Sequence, residues 1–236
     1  MSRDTYNGLA VFTVPGPDAY STQQGTPREE AGALEARTAD FMLHALDNFV
    51  PFPDEVVRPI AAALARGLAD VPLALPGIDL SDVDSLGEAV DALLVNDEEM
   101  PLSLVVTLLL NFLALQVNPA TKSGRFVAPF CRLSYAEKAN AFSLLEGADS
   151  DLVAVVDGEV PEPMRGSVSG VGKYLGGSLI SFTTFGAYCE WATFDPGTRS
   201  VGSEPVGWRN SDYDPGVLDG WDDMQGYYQG RKAVAA

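Results

Sequence analysis

The chain has 236 residues and a mass of 25.1 kDa, with 46% hydrophobic and 20% charged residues. That is enough apolar material for a core without disulfide or metal staples, and too much for a disordered chain. Its formal charge of -18, from 33 acids against 15 bases, repels phosphate backbones and anionic lipid, which argues against nucleic-acid partners and membrane-surface binding.

The acidity is uneven. Residues 1–100 carry 18 acids and 5 bases, residues 101–189 carry 7 and 6, and residues 190–236 carry 8 and 4, so the neutral middle is expected to be the most buried part. Cys131 and Cys189 stand 58 positions apart, a spacing that makes neither a metal pair nor a redox pair and predicts free thiols. Met1-Ser2-Arg3-Asp4 opens without a basic region leading into an apolar stretch, and the expected location is cytoplasmic.

In chain order, residues 1–25 read as an extended segment. Thr26-Pro27-Arg28-Glu29 carries a threonine cap, a proline at the first helical position and a glutamate at the third, which predicts a helix starting there. Its apolar positions Leu34, Phe41, Met42, Ala45, Leu46 and Phe49 recur at helical spacing until Pro51 and Pro53. A second helix is expected from Pro53-Asp54-Glu55, with Val57, Ile60, Ala61, Leu64 and Leu68 on one side, antiparallel to the first because the connection is short. Ser81-Asp82 caps a third segment carrying Leu86, Val90, Leu93 and Leu94.

Asp97, Glu98 and Glu99 precede Pro101 and are expected to face the positive end of the next helix dipole. That helix, Leu102 to Val117, is the most apolar of the chain. At 1.5 Å per residue it extends about 24 Å, short of the ~30 Å hydrocarbon core of a bilayer, so it is read as a buried central helix rather than a membrane insertion. Ser103, Thr107 and Asn111 share one face of it and either line a ligand pocket or make inter-helix hydrogen bonds.

Leu133-Ser134-Tyr135-Ala136-Glu137 repeats the capping-box pattern ahead of Ala139, Phe142 and Leu145, with Gly147 as the stop. Asp151 to Val160 reads as a brief extended piece. Ser167 to Tyr188 is glycine-rich yet holds Val171, Tyr174, Leu175, Leu179, Ile180, Phe182 and Phe185, which predicts a helix packed closely on another backbone. After Glu190 periodicity disappears: Trp191, Trp208 and Trp221 stand with Phe194, Tyr213, Tyr227 and Tyr228 among Gly, Pro and Asp.

The patterns of known chemistries are broken in this chain. His44 is its one histidine and lies off the apolar stripe of its helix, without marked partners for base catalysis. Gly166-Ser167-Val168-Ser169-Gly170 has valine where a hydrolase elbow needs its nucleophile. In Gly170-Val171-Gly172-Lys173-Tyr174-Leu175-Gly176 the last glycine comes one position late for a dinucleotide loop, and Tyr174 replaces the Ser or Thr of a phosphate loop. Asn210-Ser211-Asp212-Tyr213-Asp214 alternates oxygen ligands as a calcium loop does, but Pro215 and Trp221 occupy the places of its glycine and glutamate. An irregular calcium site near Asp212 and Asp214 stays open beside a solvated turn.

Several segments, in order, resemble one family. They are Leu9 to Gly16 followed by Gly32-Ala33-Leu34-Glu35-Ala36 and Phe41; Leu133 through Glu146; Gly186-Ala187-Tyr188; and Pro205-Val206-Gly207-Trp208 through Tyr213-Asp214-Pro215-Gly216. Together they cover about a third of the chain and resemble the small helical third subunit of gluconate 2-dehydrogenase-like flavin dehydrogenases. The resemblance implies a non-catalytic subunit that binds and stabilises a larger FAD-containing oxidoreductase subunit of the glucose-methanol-choline type. FAD is then expected in the partner and no cofactor on this chain. Exported members commonly carry a twin-arginine signal; this chain shows none, which favours a cytosolic complex or self-assembly.

The expected architecture is all-α: one domain of about six helices over residues 1–190, then an irregular aromatic, Gly/Pro-rich tail over 191–236 that covers its own body or a partner. Trp191, Trp208, Trp221, Tyr213, Tyr227 and Tyr228, with Arg199 and Arg209 at a rim, are the expected partner-binding residues. Two alternatives stand beside this reading. One is a small-molecule enzyme or binding protein using a pocket at Ser103, Thr107 and Asn111; the other is a homo-oligomeric structural module.

Overall fold

The computed structural model describes residues 1–50, 54–69, 92, 100–146 and 168–214. Within them the chain is all-α. Six helices have twelve residues or more: α1 (Ser2–Thr13), α3 (Thr38–Phe49), α4 (Asp54–Gly67), α5 (Leu102–Val117), α7 (Tyr135–Glu146) and α8 (Val168–Tyr188). The shorter α2 (Ala19–Gln24), α6 (Pro129–Arg132) and α9 (Val206–Ser211), with a 3-10 turn at Pro119–Lys122, link them. The one sheet among the described residues pairs two-residue strands, β1 (Phe194–Asp195) and β2 (Ser200–Val201), antiparallel. No helix among the described residues is long and apolar enough to cross a membrane. Apart from Ala92, the segments expected at 81–94 and 151–160 lie outside the described residues.

The expected extended segment at residues 1–25 is instead helical. Tyr6, Leu9, Ala10 and Val11 of α1 are fully buried, and the helix packs on α3, α5, α6 and α8. Its start has no side-chain cap, and Asn7-Gly8, a turn-like pair, lies at its middle. Tertiary burial therefore decides it. Gly8 itself is required by contact, since a Cβ there would lie 2.8 Å from Cys131 Sγ.

The helix expected to start near Thr26 begins twelve residues later, at Thr38. Thr26 does not cap it; its Oγ1 accepts from Gln24 Nε2 at 2.6 Å. Residues 26–37 instead run back across the chain, where Gly32 meets Gly16 so closely that a Cβ on Gly32 would lie 2.6 Å from the Gly16 nitrogen. Arg37, in left-handed backbone at φ 53°, makes the final turn into α3.

α5 is central, as its composition predicts. Its residues Val105 to Ala114 are all buried, and it packs against α1, α3, α4, α6 and α7. Each fully buried leucine there contributes about 2 to 3 kcal/mol of transfer free energy. Its N-terminus is capped from a distance: Asp47 at the end of α3 accepts from the Ser103 N–H at 2.9 Å and from Ser103 Oγ at 2.8 Å. Asp54 at the start of α4 accepts from the Met100 N–H at 3.0 Å, a bond that, with Arg58 beside it, holds the Asp54 carboxyl below its usual range. The capping box of α7 forms as expected, Glu137 accepting from the Ser134 N–H at 2.7 Å and Ser134 Oγ accepting from the Glu137 N–H at 3.3 Å.

α7 also places Lys138 in the interior. Fully buried, it donates to the Gly8 carbonyl at 2.8 Å and to Gln24 Oε1 at 2.7 Å, with its ammonium 5.4 Å from the centre of the Phe130 ring. Burial pulls its pKa down to about 8. The pair of bonds ties α7 to α1 and α2, more than 100 residues earlier in the chain.

Candidate functional site

The polar row on α5 is used internally. Tyr6 donates its hydroxyl to the Ser103 carbonyl at 2.9 Å, and Thr107 Oγ1 donates to the same carbonyl at 2.8 Å. Asn111 donates to Thr5 Oγ1 at 2.9 Å and to the Thr107 carbonyl at 2.7 Å, and accepts from the Phe130 N–H at 3.0 Å. Ser103, Thr107 and Asn111 are all buried. They stitch α1 and α6 to α5, the inter-helix role that was the alternative to a pocket.

The expected tail residues separate into distinct places. Trp191 turns back onto the helical body: its ring lies edge-on to Phe41 at 5.8 Å and 6.0 Å from the His44 ring, with the Arg37 guanidinium 5.9 Å above it. Arg199 stands at the tip of the β1–β2 hairpin in left-handed backbone, φ 53°. Asp195 closes that tip by accepting from the Gly197 N–H at 2.8 Å, which holds its carboxyl below the usual range. Trp221, Tyr227 and Tyr228 lie outside the described residues.

Trp208, Arg209 and Tyr213 do come together, on a segment that is partly ordered rather than wholly irregular. α9 is pressed onto the C-terminal end of α8: a Cβ on Gly207 would lie 2.2 Å from the Tyr188 carbonyl oxygen, so only glycine permits the approach. Val206 beside it is buried in a small cluster with Ala10, Val14, Ala33, Ala36 and Ala187. Three polar ties fix the helix in rotation. Arg209 pairs with Glu35, Asn210 donates to the Ala31 carbonyl at 2.8 Å, and the Trp208 indole N–H donates to Glu190 at 2.9 Å. Asp212 in left-handed backbone then ends α9, and the Tyr213 N–H returns to the Trp208 carbonyl at 3.0 Å.

The outer side of this segment is open. The Trp208 and Tyr213 rings stand edge to face with centroids 5.4 Å apart. With Val201, Glu204, Arg209 and Asp212 they line a shallow groove of about 800 Å3. Asp214 also borders it. Such a groove offers aromatic area together with carboxylates, a surface suited to an apolar side chain next to a basic one. Among the described residues no group of three or more His, Cys, Asp or Glu is placed to hold a metal ion.

Other reactive types are held in structural roles. Cys131 is buried, donates its thiol to the Asp4 carbonyl at 2.7 Å, and has its pKa pushed up by burial and then by Asp4, so the nucleophilic thiolate is suppressed. His44 is exposed and bonded to Asn48. Gly170 to Gly176 lie inside α8, where no phosphate-binding loop exists. Sequence reasoning missed Glu35 and Glu190, the acids that orient α9; neither has a local pattern, because each acts on a residue far along the chain or beyond a hairpin.

No protein-family model, curated protein or solved structure matches the chain.

Proposed function

We propose that this protein is a non-catalytic subunit that binds and stabilises a larger FAD-containing oxidoreductase subunit of the glucose-methanol-choline type. The flavin and the oxidation chemistry reside in the partner, and this chain contributes a docking surface. The observation that carries docking is the division of α9 into two faces. Its inner face, through Val206 and Gly207, is sealed onto the helical body, while Trp208 and, just beyond the helix, Tyr213 line a groove that is open on the outer side. The flavoprotein nature of the partner is supported by the ordered resemblance of the sequence segments, two of which meet here: Gly186-Ala187-Tyr188 is the seat of Pro205-Val206-Gly207-Trp208.

Charge narrows what the partner presents. The groove carries Glu204, Asp212 and Asp214, and its guanidinium, Arg209, is paired with Glu35. A partner surface with lysine or arginine beside an apolar anchor fits it.

Co-expression with the products of neighbouring reading frames, followed by affinity capture, is expected to recover a flavoprotein of roughly twice this mass or more. Trp208→Ala and Tyr213→Ala are each expected to weaken capture by about 2 kcal/mol or more, about 30-fold, the hot-spot range. Recovery of the chain alone, with no effect on the yield or activity of any flavoprotein, would overturn the proposal.

A further inference from the structure

α8 presents a second surface, independent of the groove. Among its 21 residues only Lys173 is charged, in a chain where a fifth of all residues are. From residue 174 on, the positions it turns to solvent are Tyr174, Gly177, Ser178, Ser181, Phe185 and Tyr188. Tyr174 is 78% exposed, Phe185 58% and Tyr188 42%, and a Cβ on Gly177 would meet nothing within 4 Å. A solvated face of so acidic a protein is expected to carry charge. From Tyr174 to Tyr188 this one carries aromatics at its ends and small residues at its middle.

The spacing identifies the occupant. Tyr174, Ser178, Ser181, Phe185 and Tyr188 follow one another at intervals of 4, 3, 4 and 3, the 3.5-residue repeat of a helix-pairing seam. From Tyr174 to Phe185 the order of large and small also reads the same from either end. When two copies of α8 cross antiparallel about a two-fold axis between residues 179 and 180, Tyr174 of one faces Phe185 of the other, and Ser178 faces Ser181. Large rings then pack at the ends, while the serines allow close backbone approach at the axis and can pair their hydroxyls across it. A self-complementary patch of this kind is what a two-fold interface requires.

We infer that the outward face of α8 is a homodimerisation surface on which a second copy of this chain packs antiparallel. The area agrees. At ~200 Å2 for a whole aromatic side chain, the exposed parts of Tyr174, Phe185 and Tyr188 supply about 350 Å2 per copy, about 700 Å2 in the pair. Gly177, Ser178, Ser181 and the half-buried flanks Leu175 and Phe182 carry the total towards the ~1,200 Å2 at which specific association begins. Each copy's charge of -18 opposes approach, so association strengthens as salt screens it.

Sedimentation of the full chain at about 100 µM, in about 0.15 M and about 1 M sodium chloride, tests this. The expected result is a species of twice 25.1 kDa, more populated at the higher salt. Ser181→Glu buries a carboxylate without a cation, opposite Ser178 of the second copy, and is expected to weaken dimerisation at least about tenfold. Far-UV circular dichroism should stay unchanged, and so should the urea midpoint at a dilution where both proteins are monomeric, because Ser181 is exposed in the single chain. Ser178→Lys combined with Ser181→Glu restores the dimer by setting opposite charges face to face at both crossings. Tyr174→Lys is the second monomerising variant should Ser181→Glu fail to fold. A monomer at both salts, or a dimer indifferent to both variants, overturns the inference. If the chain is monomeric and Tyr174→Lys abolishes flavoprotein capture, the face belongs to that partner instead and the homodimer is likewise refuted.

Discussion

Lys138→Met tests the interior of this fold most sharply. The wild-type ammonium is fully buried, and its hydrogen bonds go to two neutral oxygens, of Gly8 and Gln24. Its pKa falls from 10.5 unfolded to about 8 folded. At neutral pH both states are protonated, and the native state carries a charging cost of about 3 kcal/mol, at 1.36 kcal/mol per unit of depression. Between pH 8 and 10.5 the unfolded chain holds the proton while the folded chain has shed it, so stability from this group rises with pH across that window. The neutral amine keeps two N–H donors, one for each oxygen, so the network survives deprotonation. Methionine removes the charging cost but leaves both acceptors bare at about 1 to 3 kcal/mol each, so the variant is expected to lie within about 2 kcal/mol of wild type at pH 7. By about pH 9.5 wild type should gain about 2 kcal/mol relative to Lys138→Met. Urea unfolding of both proteins, followed by tryptophan fluorescence, measures the difference at each pH. The comparison also cancels Tyr6 and Tyr20, whose raised pKa values lower the stability of both proteins as pH climbs through their unfolded values. A difference that stays flat from about pH 7 to about pH 9.5 would show Lys138 to be ionised as in water and would refute the burial argument.

Asp47→Ala should cost about 1 to 2 kcal/mol in urea unfolding by removing both bonds to Ser103 and the charge at the α5 N-terminus, with Asp47→Asn recovering part of it. Leu110→Ala, at a fully buried position of α5, should cost about 2 to 5 kcal/mol; a loss under about 1 kcal/mol would mean that α5 is not the packed centre. Gly207→Ala drives a methyl into the Tyr188 carbonyl and should release α9, read as a red-shifted tryptophan emission and new protease cleavage between residues 202 and 214. Raising sodium chloride from about 0.05 to about 1 M should raise the thermal midpoint by about 5 °C, because screening relieves the self-repulsion of 18 net negative charges; a falling midpoint would contradict that.

The sequence by itself determined the all-α class, the central place of Leu102–Val117 and the capped start of Tyr135–Glu146. Each is a local property: a hydrophobic period, an apolar run, or a side chain three residues from the amide it satisfies. Local signals misled where the same chemistry served a distant partner. Thr26 has the form of a cap but accepts from Gln24, and α1 has no cap yet forms because Tyr6, Leu9 and Ala10 are buried against other helices. Among the described residues, Asp47 and Asp54 are the acids that accept from the Ser103 and Met100 amides at the head of α5, across 56 and 46 residues of sequence; the Asp97-Glu98-Glu99 run expected at that place lies outside the described residues. The tail's aromatics were legible as a group, whereas their division was not. Trp191 went to the body and Trp208 with Tyr213 to the groove because Gly207 seats α9 on Tyr188 and Arg209 and Asn210 fix its rotation. Which side of a short helix faces outward depends on contacts across more than 170 residues of sequence, from Ala31 and Glu35 to Asn210 and Arg209, and only the folded chain brings those groups within reach.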